Sequence, residues 1–275
     1  MMMNYFGMIF VAIILVMSCI LYKTSRTFRY YFKYVIFTLH IATFTAFLIP
    51  IFIFRPRNVK NLRLLAMAVA PITKIIGVSW ELRGREILEQ DRTYIIVANH
   101  QSLLDFLGMY QIWPIMNKCT AIAKREIFYL WPCGLAAWLG RLIFIDRMNS
   151  DSARIVLNNA TDYIKENNIK LWIYPEGTRR STGTIHSFKK GAFHVAIRAQ
   201  LPIVPVIFSS YYFLSKREKK FESGRVIIKA LPEISTKGLT VDDVDSLLEK
   251  TRSIMIDAFN EINREMQSSN NSISS

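Results

Sequence analysis

No aspartate or glutamate occurs among the first 80 residues of this 275-residue chain, where nine lysines and arginines stand unopposed. Those residues carry +9 of the formal +14, and the remaining 26 basic and 21 acidic side chains leave +5. Cysteine is also scarce: Cys19, Cys119 and Cys133 are odd in number and show no C-x-x-C spacing, which argues against a disulfide framework or a cysteine-built zinc site. There is no G-x-S-x-G elbow, so nothing announces a serine nucleophile. Apolar residues, in contrast, make up 51% of the chain, too many for a disordered protein. The length suits one or two domains with a real core. A positive balance admits nucleic acid, a membrane surface or an anionic small substrate as partner. The nine early cations flank two long uncharged stretches instead of forming a run or an aromatic-interleaved patch, so no nucleic-acid footprint is expected.

Residues 1–22 carry no charge, and neither do residues 34–54. Each run is about 21 residues, and a helix of that length covers about 30 Å, the thickness of a bilayer's hydrocarbon core. The first run lacks a basic n-region and an A-x-A-like cleavage site, so it reads as an uncleaved anchor. Lys23, Arg26, Arg29 and Lys33 separate the runs, and Arg55, Arg57, Lys60 and Arg63 follow the second, with tyrosines and phenylalanines at the borders as in an interfacial belt. Two full spans would put these clusters on opposite sides of the membrane, against the positive-inside rule. Two arrangements stay open: two spans, or a hairpin that enters from the cytoplasmic face without crossing, with Pro50 tolerated at the interface. Residues 1–63 are expected to be the anchor, 64–266 the catalytic domain, and the Ser/Asn-rich 267–275 a disordered tail.

Beyond an amphipathic connector at 64–79, short β-branched runs predict strands at Ser79–Gly84, Tyr94–Ala98, Leu142–Ile145, Leu171–Tyr174, Ile203–Phe208 and Arg225–Ala230. Helical patterns lie between and after them at about 102–113, 150–167, 190–199 and 242–266, with Ser150 or Asp151 offered as an N-cap. Alternation of this kind gives an α/β domain with a largely parallel sheet flanked by helices, in which ligands gather at the carboxyl ends of the strands.

His100 and Asp105 follow directly from the Tyr94–Ala98 run. On one helix a five-residue separation turns about 500°, leaving the side chains about 140° apart. They can meet only if His100 precedes the helix and Asp105 lies in its first turn, which the S-x-x-D form of Ser102–Asp105 permits. Read blandly, Asp105 is a helix-start acid and His100 a satisfied loop histidine. Read functionally, a carboxylate-held imidazole is a general base near neutral pH, and with no protein nucleophile in view its proton would come from a substrate hydroxyl. Tyr174-Pro-Glu176-Gly177-Thr178-Arg179 follows another buried run. It is either a common turn with a solvated arginine or a tight turn presenting a guanidinium fork to a phosphate or carboxylate. Lys124 and Arg147 recur at strand or loop ends, as surface ion-pair partners or as further anion contacts. His186 and His194 lack carboxylate or cysteine company, so no metal is assigned.

Asn99-His-Gln-Ser-x-x-Asp105, Gly140-Arg-Leu-Ile-Phe-Ile-Asp-Arg147, Tyr174–Arg179 and Leu201-Pro-Ile-Val-Pro-Val206 together resemble the four ordered blocks of the glycerolipid acyltransferases. Ala123-Lys-Arg-Glu126, Phe188-Lys-Lys-Gly-Ala-Phe-His194, Ser209-Ser-Tyr211 and Gly238-Leu-Thr-Val-Asp-Asp243 extend the resemblance over nearly the whole chain, toward the eukaryotic 1-acyl-sn-glycerol-3-phosphate acyltransferases. Tyr174 stands where that family commonly has Phe, and Lys190 where close relatives often have Arg. The resemblance implies transfer of a fatty acyl group from acyl-CoA, a co-substrate and not a cofactor, to the sn-2 hydroxyl of lysophosphatidate, giving phosphatidate and CoA. It implies His100 as base, Asp105 as its orienter, and Glu176, Gly177, Thr178 and Arg179 at the acceptor's glycerol phosphate, with Lys124 and Arg147 as further phosphate contacts. The implied partners are both lipidic substrates and the bilayer, without nucleic acid or metal. The expected location is the endoplasmic reticulum membrane, with the site at the cytosolic leaflet.

Overall fold

The computed structural model describes residues 2–274, and the side chains of residues 5–149 and 152–268. In chain order its helices are α1 (Met2–Thr24), α2 (Arg26–Ile53), α3 (Lys60–Val69), α4 (Ile72–Ile76), α5 (Arg85–Glu89), α6 (Asp105–Met116), α7 (Cys133–Leu139), α8 (Ser150–Glu166), α9 (Gly191–Ala199) and α10 (Val244–Ser274). Its strands are β1 (Val78–Arg83), β2 (Ile95–Ala98), β3 (Cys119–Lys124), β4 (Ile143–Ile145), β5 (Lys170–Ile173), β6 (Ile203–Phe208), β7 (Leu214–Ser215), β8 (Lys220–Phe221) and β9 (Gly224–Ala230).

Seven strands form one sheet in the order β1-β9-β6-β2-β5-β3-β4. Every neighbouring pair is parallel except β6 with β9. The largely parallel sheet read from the alternation is therefore present, with β1 and β9 running against the other five. β2 and β6 occupy the middle, and every residue of both is buried. Their side chains alternate between two apolar layers, as the two-residue period of a strand requires. Ile96, Ala98, Val204, Val206 and Phe208 join one layer with Phe37, Leu62 and Trp113. Ile95, Val97, Ile203 and Ile207 join the other with Leu157, Phe193 and Ile262. Helices α2 to α7 thus cover the first face, and α8, α9 and α10 the second.

The N-terminal helices depart from the expected layout. Lys23 to Lys33 do not form a polar loop, because Ser25 is extended (φ −105, ψ 112) and its side chain accepts from Phe28 N at 3.2 Å, capping α2 at once. Three of the four basic residues expected between the runs therefore ride on α2. Nor does the core begin after residue 63. Tyr30, Phe37 and Phe52 of α2 are buried in the first-face layer, Arg29 Nη2 bonds Glu222 Oε1 at 3.0 Å, and Lys33 lies 4.8 Å from the Phe221 ring. α1, in contrast, has none of its apolar window buried. Both helices are long and apolar enough to cross a membrane, which marks the chain as membrane-associated.

At the other end α10 runs through 267–274, the segment expected to be disordered. Extending an existing helix adds one bond per residue fixed, so unfavourable Ser and Asn propensities do not by themselves stop it. Asn149, not Ser150 or Asp151, caps α8, its side chain accepting from Ser152 N at 2.9 Å. The connector at 64–79 resolves into α3 and α4, and β3 and the β7–β8 pair were not anticipated.

Candidate active site

β2 stops at Ala98 because the next side chains turn to bonding main chain instead of packing. Asn99 Nδ2 donates to Phe208 O at 3.0 Å while Phe208 N donates to Asn99 Oδ1 at 2.8 Å, locking the ends of β2 and β6 together. Gln101 Nε2 adds bonds to Phe208 O and Ser209 O, both 3.1 Å. His100 is held between these two anchors.

α6 starts at Asp105, and its carboxylate reaches back over the turn. Oδ2 accepts Gln101 N at 2.7 Å and Ser102 N at 3.0 Å, and Oδ1 accepts the Tyr211 hydroxyl at 2.6 Å. His100 Nδ1 lies 2.6 Å from Oδ2. A fully buried carboxylate with three such donors is an acceptor toward the fourth, so Nδ1 carries the hydrogen and Nε2 is left with its lone pair. Burial beside this carboxylate pushes the Tyr211 hydroxyl well above the ordinary tyrosine range, which keeps it a donor. The Tyr174 ring stacks on the imidazole at 4.0 Å and an interplanar angle of 16°, fixing its tilt.

Glu176 is buried, and both of its oxygens take main-chain hydrogens: Oε1 accepts His100 N at 2.6 Å and Oε2 accepts His186 N at 3.1 Å. Arg180 N donates to His100 O at 3.1 Å, so the Tyr174–Arg179 turn and the histidine are one hydrogen-bonded unit. Burial raises the Glu176 pKa, opposed by these two N–H donors. Gly177 makes the turn possible with φ +72. Thr178 and Arg179 are its exposed members.

Charged groups gather around Arg147, which touches that turn. Arg147 Nη1 donates to Gly177 O, and the Arg147 pKa is lowered by burial and by the nearby Arg179 charge. Glu126 opposes that shift and itself pairs with Lys124 at 2.8 Å. Arg147 and Arg179 therefore lie near one another, with Lys124 joined to them through the Glu126 carboxylate, a cationic array suited to an anion. Among the described residues, no three His, Cys, Asp or Glu side chains gather as metal ligands would.

The sequence of this scaffold is shared with known proteins. An acyltransferase family model matches residues 79–209, which contain both the His100 turn and Arg179. Human 1-acyl-sn-glycerol-3-phosphate acyltransferase alpha is 38% identical over 243 residues, 88% of this chain and 85% of that protein. The chain belongs to the 1-acyl-sn-glycerol-3-phosphate acyltransferase family. The human beta form is 36% identical over 256 residues, covering 92% of this chain and 91% of its own. Within the same family name, the crystal structure of the 1-acyl-sn-glycerophosphate acyltransferase PlsC from Thermotoga maritima superposes with a TM-score of 0.60 at 23% identity, over 84% of this chain and 94% of that one. That likeness is one of fold.

Against this family background, the array joins the sequence-selected Lys124, Arg147 and Arg179. Glu176 faces main chain on both oxygens, so its place is behind the turn and not at its surface. Sequence reasoning gave no role to Tyr211, Asn99 or Gln101, and none to the stacking face of Tyr174. The usable signal was adjacency: Ser209-Ser-Tyr211 leaves β6 beside the end of β2, where a polar residue can reach the dyad.

Proposed function

We propose that this protein transfers a fatty acyl group from acyl-CoA to the sn-2 hydroxyl of lysophosphatidate, releasing phosphatidate and CoA for glycerolipid synthesis. The observation that carries the reading is the His100–Asp105 contact at 2.6 Å, set at the carboxyl end of the central strand beside the Lys124–Arg147–Arg179 array. His100 Nε2 takes the hydroxyl proton as the acceptor oxygen attacks the thioester carbonyl. The tetrahedral adduct then collapses, the carbon–sulfur bond breaks, and the imidazolium returns the proton to the leaving thiolate. Asp105 accepts the Nδ1 hydrogen and stabilises the imidazolium. No acyl-enzyme is required, because the acceptor is itself the nucleophile.

The acceptor's phosphate sits against Arg179, with Lys124 and Arg147 contributing charge and Thr178 in the same turn. Glu176 acts by holding the His100 main chain to the turn, and Gly177 by its backbone shape. Acyl chains partition into lipid, so α1 and α2 keep the enzyme where both substrates reside, and their basic flanks favour an anionic leaflet. The endoplasmic reticulum membrane, with the site at the cytosolic leaflet, suits a water-borne CoA thioester.

Purified protein with oleoyl-CoA and a panel of acceptors tests the reading. Phosphatidate should form from lysophosphatidate and fall about 10²–10⁴-fold in a His100→Ala control. Preference for lysophosphatidylcholine or glycerol 3-phosphate would move the acceptor assignment. No product above the control would end the enzymatic reading and leave a membrane scaffold.

A further inference from the structure

Behind the Tyr174–Arg179 turn, on the face of the sheet opposite α2, lies a cavity of about 450 Å³. Its inner wall is apolar, built from Ile145, Leu157, Ile173 and Val195 of the second-face layer. Its lining carries the cations Arg147, Arg154, Lys189 and Lys190, while Asp146, whose Oδ1 accepts Met148 N, is its one carboxylate among the described residues. Lys190 is paired with Asp245 at 2.7 Å. Lys189 lies across Gly177, so that a Cβ on that glycine would stand 3.0 Å from Lys189 Cε and 3.5 Å from its Nζ. Arg147 donates to the same glycine's carbonyl. Two cations thus flank Gly177 where the turn forms the cavity wall, while the neighbouring Glu176 carboxylate holds His100 N.

We propose that this cavity receives the phosphate-bearing nucleotide end of the acyl donor, with Lys189 holding phosphate at its rim and the apolar wall taking the adenosine. The assignment rests on the acyl-CoA donor proposed above. Two features favour this occupant over an acyl chain. The mouth is cationic where a hydrocarbon tail would have to enter. The cavity belongs to the layer covered by α8, α9 and α10, whereas α2, the lipid-seeking helix that joins the core, packs on the other.

The test uses the full-length protein in detergent micelles. Equilibrium binding of CoA, which needs no turnover, is measured for the wild type, Lys189→Ala, Lys189→Arg and the cavity-filling Leu157→Trp. Lys189→Ala and Leu157→Trp should each weaken binding about tenfold or more, with Lys189→Arg restoring part of it. Dephospho-CoA, lacking the 3′-phosphate, should bind the wild type more weakly than CoA does. In turnover assays the KM for oleoyl-CoA should rise in the same two variants while the KM for lysophosphatidate stays within about twofold. Lys189 is exposed, so Lys189→Ala keeps the fold and remains decisive if Leu157→Trp does not. Wild-type CoA affinity in Lys189→Ala, or a rise confined to the lysophosphatidate KM, would overturn the assignment. Failure to acylate lysophosphatidate with CoA binding intact would strike the acceptor reading alone.

Discussion

The Tyr211 hydroxyl donates to Asp105 Oδ1 at 2.6 Å across 106 residues of chain, placing a donor from the loop after β6 on the carboxylate that holds His100. Three donors besides the imidazole fix that carboxylate's position, and Tyr211 supplies the one on the oxygen away from the histidine. A hydrogen bond to a charged group is worth about 1.5–3 kcal/mol when a buried partner is removed. Tyr211→Phe should therefore lower kcat about tenfold or more, with the KM for either substrate nearly unchanged, because the side chain touches the dyad and not a bound ligand. Steady-state kinetics on membranes normalised for enzyme check this, and an unchanged kcat would show that the backbone donors suffice.

Much of this site was legible because its residues are close in sequence. His100 and Asp105 are separated by one turn, and S-x-x-D with a preceding buried strand supplies the only geometry in which they can meet. The six strand segments read from β-branched runs all appear, shifted by a residue at most at either end. What escaped has long-range causes. Cys119–Lys124 mixes Cys, Thr and Lys with its apolar residues and becomes a strand by pairing with Leu171 and Phe144 neighbours on both sides. Tyr211 reads as a loop tyrosine until β6 is known to lie beside β2. Glu176 reads as a member of the turn at the acceptor's glycerol phosphate, and only the meeting of the His100 and His186 main chains turns it inward. The basic residues near Ser25 read as a loop because charge signals exposure, yet on α2 Arg29 finds Glu222 and Lys33 finds an aromatic face.

Glu176 gives a prediction about pH and stability. Burial raises its folded pKa above the unfolded value, so the folded state binds the proton more tightly. Stability then falls as pH rises from the ordinary glutamate range, about 4.3, through the raised value, and levels off above it. In Glu176→Gln the fall disappears, and the difference between the two thermal-unfolding profiles isolates it. A neutral amide offers one acceptor oxygen where the carboxylate offers two. His100 N or His186 N therefore loses its partner, and acyl transfer should drop at every pH. Parallel unfolding profiles would show that Glu176 does not titrate differently on folding.

Gly177→Ala meets two obstacles at once. A left-handed φ of +72 costs a non-glycine residue about 1–2 kcal/mol, and the new Cβ would stand 3.0 Å from Lys189 Cε. Because that neighbour is the far end of a flexible side chain, it can move, and the protein should remain folded with a modestly lower Tm. Moving Lys189 and straining the carbonyl that Arg147 binds should cost activity out of proportion to stability. A Tm shift without a kinetic defect would detach the turn from substrate binding.

Truncation separates the two apolar helices. α1 buries none of its apolar window, so removing residues 2–24 should leave the thermal transition of the detergent-solubilised protein in place while reducing its retention by membranes through carbonate washing. Removing residues 2–53 also deletes Phe37 and Phe52, 1% and 0% exposed, from the layer that packs under β2 and β6. Loss of one buried phenylalanine side chain typically costs about 3–5 kcal/mol, and a whole domain holds about 5–15 kcal/mol in reserve. The longer deletion should therefore yield aggregated protein with no cooperative transition and no activity toward any acceptor, soluble short-chain lysophosphatidate included. A folded, active product lacking α2 would mean that the helix is an anchor alone. The expected split between the two truncations follows from α2 being both long and apolar enough to cross a membrane and a wall of the enzyme's core.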